Sequence, residues 1–220
     1  LIGLVGSEMC IRDRYGLVEN YVVDYGKDGK NWTDDDPKAV ITAEKVTIKS
    51  GTRIHQSGFL GGYASGIDHA DFTNCTIEQG VTIGCNIDGT SAGLSNIGSF
   101  GGALNGTIKN CVSYATVYGD SNVGGIAGIR GQSTDIFSIE NCAFHGIINA
   151  TGNNIGGILG SGYYMYNAPN AFGAVIKNCT VDGNISGRNN IGGIFGAEAG
   201  IDQAWDNGCL LYTSDAADEL

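Results

Sequence analysis

Four side chains capable of acid–base chemistry occur at equivalent places in the sequence, each three residues after a repeated Cys: Glu78, Tyr114, His145 and Asp182. If the segments that carry them stack in register, the four lie in a row about 4.8 Å apart. Carboxylate, phenol and imidazole groups in such a row could act as general acids and bases. The alternative is a solvent-facing variable position, where polar residues are expected. We favour this alternative and predict no catalytic residue, since no paired carboxylates flank the row.

A second candidate site is the insertion at residues 161–173, which brings together Tyr163, Tyr164 and Tyr166. Tyrosine rings can stack on sugars or contact a protein, and loops on rigid scaffolds often carry binding sites. In a repeat array the same rings could instead shield an exposed edge. Both interpretations remain open, and these three tyrosines are the predicted ligand-binding residues.

No metal or cofactor site is predicted from the acidic residues near the start of the chain. Asp24, Asp28 and Asp34–Asp36 lie close together, but their spacing does not match the Asp-x-Asp-x-Asp-Gly loop of calcium sites. A solvated turn is the favoured interpretation.

Composition excludes several classes of partner. The 220 residues include 37 Gly and 2 Pro, and the net charge is −11. The 12 Lys and Arg are scattered singly, which argues against nucleic acid as a partner. No apolar run approaches the roughly 18 residues of a membrane span, so we predict no membrane-spanning segment.

Two phrases alternate along the chain. The first is an aliphatic residue followed by Gly-Gly-Ile, as in the segments beginning at Val123, Ile155 and Ile191, with degraded copies at 97–102 and 58–61. The second is Asn-Cys, with cysteines at 75, 111, 142 and 179. A repeat of 31 to 37 residues results, and such a unit buries its apolar face only by stacking on its neighbours.

Each repeat is predicted to contain three short strands separated by Gly, Asn and Asp turn residues, with no helical periodicity. The predicted fold is therefore all-β, a right-handed parallel β-helix or β-solenoid. Gly125, Gly157 and Gly193, the second glycines of the clearest phrases, are predicted to lie where another part of the backbone leaves no room for a Cβ.

The alternating GGI and Asn-Cys phrases resemble the GLUG motif of bacterial surface proteins, over about residues 56–208. The resemblance implies a secreted, cell-wall-associated or adhesin-like parent protein. Some GLUG arrays accompany immunoglobulin A-cleaving metalloproteases, but the three histidines, His55, His69 and His145, do not form the His-Glu-x-x-His zinc signature. The protease activity is therefore not expected here.

Four segments are distinguished along the chain. Residues 1–14 and 209–220 resemble translated sequencing-adapter read-through and are predicted not to belong to the fold. Residues 15–55 are predicted to be a β segment that leads into the solenoid, and residues 56–208 the solenoid itself.

The repeated Cys and Asn are predicted to be structural. Stacked cysteines seldom meet disulfide geometry, so Cys75, Cys111, Cys142 and Cys179 are expected to be buried free thiols. The preceding asparagines are expected to form a neighbouring ladder in left-handed turns.

The expected function is a non-catalytic secreted or cell-surface module, a structural stalk or adhesin, whose partners would be host or cell-surface glycans or proteins. The alternatives are a carbohydrate-binding module and, third, a fragment of a β-helix polysaccharide-degrading enzyme.

Overall fold

The computed structural model describes residues 40–59, 69–131, 137–162, 174–197 and 211–213. These residues form parallel strands stacked in successive turns of one coil, and each turn is called a rung here. The predicted parallel β-solenoid is confirmed. No helix long and apolar enough to cross a membrane occurs in these ranges.

The rungs follow one another in chain order. Rung 1 contains β1 (Val40–Glu44), β2 (Thr47–Ile48) and β3 (Arg53–Ile54). Rung 2 contains β4 (His69–Thr73), β5 (Thr76–Ile77), β6 (Thr82–Ile83), β7 (Ile97–Gly98) and β8 (Gly101–Leu104). Rung 3 contains β9 (Gly106–Lys109), β10 (Val112–Ser113), β11 (Thr116–Gly119), β12 (Val123–Gly124) and β13 (Ala127–Arg130).

The later rungs repeat this order. Rung 4 contains β14 (Phe137–Glu140), β15 (Ala143–Phe144), β16 (Ile147–Ala150), β17 (Asn153–Gly156) and β18 (Leu159–Ser161). Rung 5 contains β19 (Ala174–Lys177), β20 (Thr180–Val181), β21 (Asn184–Ser186), β22 (Asn189–Gly192) and β23 (Phe195–Ala197). A last strand, β24 (Leu211–Thr213), pairs with β19.

A complete rung therefore has five strands, and the predicted number of three is wrong. Corresponding strands stack into five sheets, called faces 1 to 5 in the order in which the chain visits them. One additional strand arises because the chain turns at Gly-Gly-Ile and continues as a separate strand. Face 4 ends at the first glycine of the phrase and face 5 begins after the isoleucine, as β12 and β13 show.

Two of the predicted segments enter the coil differently from expectation. Residues 40–54 already form rung 1, because β1, β2 and β3 pair with β4, β5 and β6. Of residues 209–220, which were expected to stand outside the fold, Leu211–Thr213 pair in parallel with β19. An open sheet edge is a template for any extended segment rich in β-forming residues, which accounts for this pairing.

The core is a bundle of columns that run along the coil axis. On face 1 the register places Phe72, Ile108, Ile139 and Ile176 above one another, all buried. Face 3 stacks Ile54, Ile83, Val117 and Ile148 in the same way. Like side chains at equal positions pack against each other in every rung, and this repetition fixes the register because a one-residue slip would expose the whole column.

The corner between faces 1 and 2 is held by the Asn-Cys phrase. Asn74, Asn110, Asn141 and Asn178 have φ between 51° and 57°, the left-handed region that Asn tolerates. The side-chain amides of Asn110, Asn141 and Asn178 each donate to the oxygen of the asparagine one rung earlier, over 3.1 to 3.3 Å. The predicted asparagine ladder is confirmed.

The cysteines that follow point inward. Each thiol donates to a carbonyl oxygen of the preceding rung, as from Cys142 Sγ to Ile108 O at 3.4 Å. Cys75, Cys111 and Cys142 are buried free thiols, as predicted, whereas Cys179 in rung 5 is half-buried. The side-chain hydrogen bond with Cys111 and burial both raise the pKa of Cys75, so its thiol stays protonated.

This arrangement predicts how the thiols react. In a variant that lacks Cys10 and Cys209, thiol titration under denaturing, non-reducing conditions should find all five remaining cysteines free. Under native conditions Cys179 should be alkylated first, because the other ladder thiols are shielded. Peptide mapping after timed alkylation gives the order, and a stoichiometric disulfide between Cys142 and Cys179 would contradict the prediction.

Candidate functional site

The polar row predicted from the sequence exists. Glu78, Tyr114, His145 and Asp182 each follow a face 2 strand by one residue, and backbone hydrogen bonds keep them in register. The amide of Tyr114 donates to Ile77 O, that of His145 to Ser113 O and that of Asp182 to Phe144 O, over 2.9 to 3.2 Å. The prediction that these four residues align is confirmed.

The row divides into two parts. At the rung 1 end stands Lys49, whose Nζ lies 2.8 Å from Oε1 of Glu78. The other carboxylate oxygen of Glu78 accepts from the amide of Ser50 at 2.9 Å. These hydrogen bonds, that from Lys49 first, hold the pKa of Glu78 below its usual value. Glu78 is therefore an ionised partner of Lys49 and faces away from the rest of the row.

The other three residues contact one another. The rings of Tyr114 and His145 stack with centroids 5.0 Å apart and planes 26° apart. Nδ1 of His145 lies 2.5 Å from Oδ1 of Asp182. The side chain of His145 is 28% exposed and that of Asp182 is 68% exposed. The result is a Tyr–His–Asp row whose members orient each other while their outer edges reach solvent.

A groove of about 440 Å³ lies beside this row. Its lining consists of Gln79, Gly80, Tyr114, Thr116, His145, Gly146, Ile147 and Asp182. The groove follows the corner between faces 2 and 3 and crosses rungs 2 to 5. Four residues connect these faces in rungs 1 and 2, but only two connect them in rungs 3 to 5. The longer turn, which contains Gln79 and Gly80, therefore closes the groove at its rung 2 end. In rungs 3 to 5 the turn between the two faces is shorter.

Small residues occupy the corner between faces 2 and 3 in rungs 3 to 5. In rungs 3, 4 and 5 the corner position is Ala115, Gly146 and Gly183. A Cβ on Gly146 would overlap the carbonyl oxygen of Ala115 and lie 2.9 Å from Cζ of Phe144. A Cβ on Gly183 would likewise overlap the carbonyl oxygen of Gly146. The corner therefore has no room for larger side chains, and Gly146 contributes backbone to the lining of the groove.

The described lining residues supply hydrogen-bonding groups, an aromatic ring and one carboxylate. Among the described lining residues Asp182 is the only carboxylate, and Glu78 is paired with Lys49 outside the groove. Hydrolysis of a glycoside by the common mechanism needs two carboxylates that face each other across the bond. One rim instead offers an aromatic ring and a fixed imidazole–carboxylate pair, and the other offers Thr116 and Ile147.

The predicted ligand-binding residues, Tyr163, Tyr164 and Tyr166, lie outside the described residues. The sequence analysis did not identify Lys49 or the second rim of the groove. The unequal distance between the strands of faces 2 and 3, visible as the additional residues around Ser50–Gly51 and Gln79–Gly80, was the available signal. This difference in turn length can be recognised only once the end of each strand is known.

A second asparagine ladder was also missed. Its members have φ between 52° and 64°, and each side-chain amide after the first donates to the oxygen of the previous member over 2.8 to 2.9 Å: Asn96, Asn122, Asn154 and Asn190. Each stands immediately before the aliphatic residue of the glycine phrase. That fixed position was the signal. This ladder holds the entry to face 4, as the first ladder holds the entry to face 2.

The comparisons with known proteins add no relative. No protein-family model, curated protein or solved structure matches the chain.

Proposed function

We propose that this chain is a non-catalytic structural module of a secreted or cell-surface repeat protein, in which the solenoid is a stiff spacer. The observation that carries the proposal is the unbroken register of rungs 2 to 5 on all five faces. Every face contributes backbone hydrogen bonds between rungs, and two corners add asparagine ladders. Bending the coil would break several of these bonds at once, so the stack resists bending.

The resemblance to GLUG repeats supports the cell-surface setting, since such repeats occur in bacterial surface proteins. The part of the groove that the structure describes has a single carboxylate in its lining, which supports a non-catalytic role. Glycan or protein binding through Tyr163, Tyr164 and Tyr166 remains a prediction from the sequence.

Stiffness can be measured directly by placing the full chain between two fluorescent reporter domains. We expect a single narrow distribution of energy-transfer efficiencies that does not change between low and high salt. A Gly/Ser linker of equal length is the control, and its distribution should be broad because such linkers are flexible coils. A similarly broad distribution for the solenoid below its unfolding transition would contradict the spacer role.

The non-catalytic part of the proposal has a separate test. The chain is incubated with neutral and uronate-containing polysaccharides, and reducing ends and unsaturated products are quantified. We expect no release above that of a heat-denatured sample. Sustained release that disappears in the His145→Ala variant would contradict the proposal and assign the polar row to catalysis.

A further inference from the structure

We propose that the groove between faces 2 and 3 binds a segment of a neutral oligosaccharide. This inference goes beyond the spacer role, which does not require a ligand. It rests on the shape of the groove, on the side chains of its two rims and on its charge.

The shape suits a short, linear, polar chain. The lining extends from Gln79 in rung 2 to Asp182 in rung 5, three rung spacings or about 14 Å along the axis. In rung 4 the lining between the two rims is Gly146, which has no side chain. A ligand can therefore lie against the backbone along the axis of the coil, with contacts on both sides.

The rims combine apolar surface with hydrogen-bonding groups. Tyr114 and Ile147 are 42% and 41% exposed, although both belong to types that usually bury more of their surface. The lining also includes His145, Asp182 and Gln79, which offer hydrogen-bond donors and acceptors. A pyranose has the same two properties, an apolar ring face and a rim of hydroxyl groups.

The rims are also held in place before a ligand arrives. Tyr114 stacks on His145, and Asp182 bonds to Nδ1 of His145, so three side chains share one arrangement. Fixing these rotamers in advance reduces the entropy that binding would otherwise cost. The same bond leaves Nε2 of His145 and the second carboxylate oxygen of Asp182 as the atoms for sugar hydroxyl groups.

The charge of the groove selects against other ligands. None of the described residues that line the groove is Lys or Arg, and the lysine at the end of the row, Lys49, is bonded to Glu78. A uronate, a phosphate or a nucleic acid would therefore meet Asp182 without a compensating cation. A peptide strand cannot be added along these faces, because their amides already bond to the neighbouring rung, as from Thr116 to Val81 O and from Ile147 to Ala115 O.

The test is calorimetric titration of the full chain with maltohexaose, cellohexaose and mannohexaose, with hexagalacturonate and tetralysine as charged probes. At least one neutral hexasaccharide should bind, and neither charged probe should bind more tightly. The proposal is overturned if no neutral hexasaccharide binds at millimolar concentration or if a charged probe binds best.

Variants locate the binding site. Tyr114→Ala should weaken binding about tenfold through loss of the ring contact, and Asp182→Ala should weaken it similarly through loss of its hydrogen bonds. Tyr118→Ala is the matched control, since Tyr118 lies on the same rung but does not line the groove. Binding that is unchanged in Tyr114→Ala, or reduced as much in Tyr118→Ala, would overturn the assignment.

Thermal melts test whether these variants remain folded. Asp182 is mostly exposed, so Asp182→Ala and Asp182→Asn should change the free energy of unfolding by less than about 0.5 kcal/mol. The reporter-distance measurement should give the wild-type result for every groove variant. Failure of the binding proposal is therefore distinguishable from failure of the spacer proposal.

Discussion

Replacing Gly157 by Val is expected to lower the free energy of unfolding by about 3 kcal/mol. A Cβ at this position would overlap the carbonyl oxygen of Gly193 and lie 2.7 Å from Cγ1 of Val181. The φ of Gly157 is not positive, so the glycine serves close approach and not an unusual backbone conformation. Urea-induced unfolding, followed by circular dichroism, measures the loss.

Gly193 provides the matched control for this substitution. It holds the same position one rung later, but a Cβ there would contact nothing within 4 Å among the described residues. The predicted lack of room is thus confirmed for Gly125 and Gly157, whereas at Gly193 no described residue limits the space. Gly193→Val should cost little, and an equal loss in both variants would show that close approach is not the cause.

Rung 2 shows how the chain accepts a side chain at this position. Ser99 replaces the glycine there, and its hydroxyl bonds to that of Ser113 on face 2 of the next rung, 2.7 Å away. Where the residue on face 2 is larger, as with Phe144 or Val181, the position is Gly. The pair Gly157→Ser with Val181→Ser should therefore lose less stability than the sum of its single variants.

Substitution of Asn122 by Ala is expected to cost about 2–3 kcal/mol. Its amide donates to Asn96 and its oxygen accepts from Asn154, both at 2.9 Å, and its φ of 57° disfavours Ala. Removing it leaves a carbonyl and an amide without their partners in a half-buried stack. Urea-induced unfolding again provides the measurement.

Two control variants separate the causes. Asn122→Gly removes both ladder bonds but accepts the positive φ, so it should be less harmful than Asn122→Ala. Asn190 has a similar φ but is exposed and bonds to Asn154 alone within the ladder. Asn190→Ala should therefore cost about half as much, and equal costs at the two positions would contradict a stabilising role for the interior of the ladder.

The sequence predicted what repeats. The Asn-Cys and Gly-Gly-Ile phrases gave the period, the parallel stacking, the first asparagine ladder and the alignment of Tyr114 with His145 and Asp182. These features can be recognised in the sequence because the inward-facing side chains of every rung must pack in the same way. A position that faces the core in one rung faces it in all of them, so residue type and spacing recur together.

Tertiary structure alone decided the features that differ between rungs. The pairing of Lys49 with Glu78, the step at Gln79–Gly80 and the joining of two rims into a groove depend on how corners of unequal length stack on one another. The number of strands also depends on tertiary structure, because the turn at Gly-Gly-Ile is recognised only when its glycines are seen to pack against other backbone. Contacts between residues about 30 positions apart cannot be inferred from neighbouring residues, whereas periodic burial can. The sequence therefore determined the scaffold and the alignment of the polar row, and the tertiary structure determined the groove beside it.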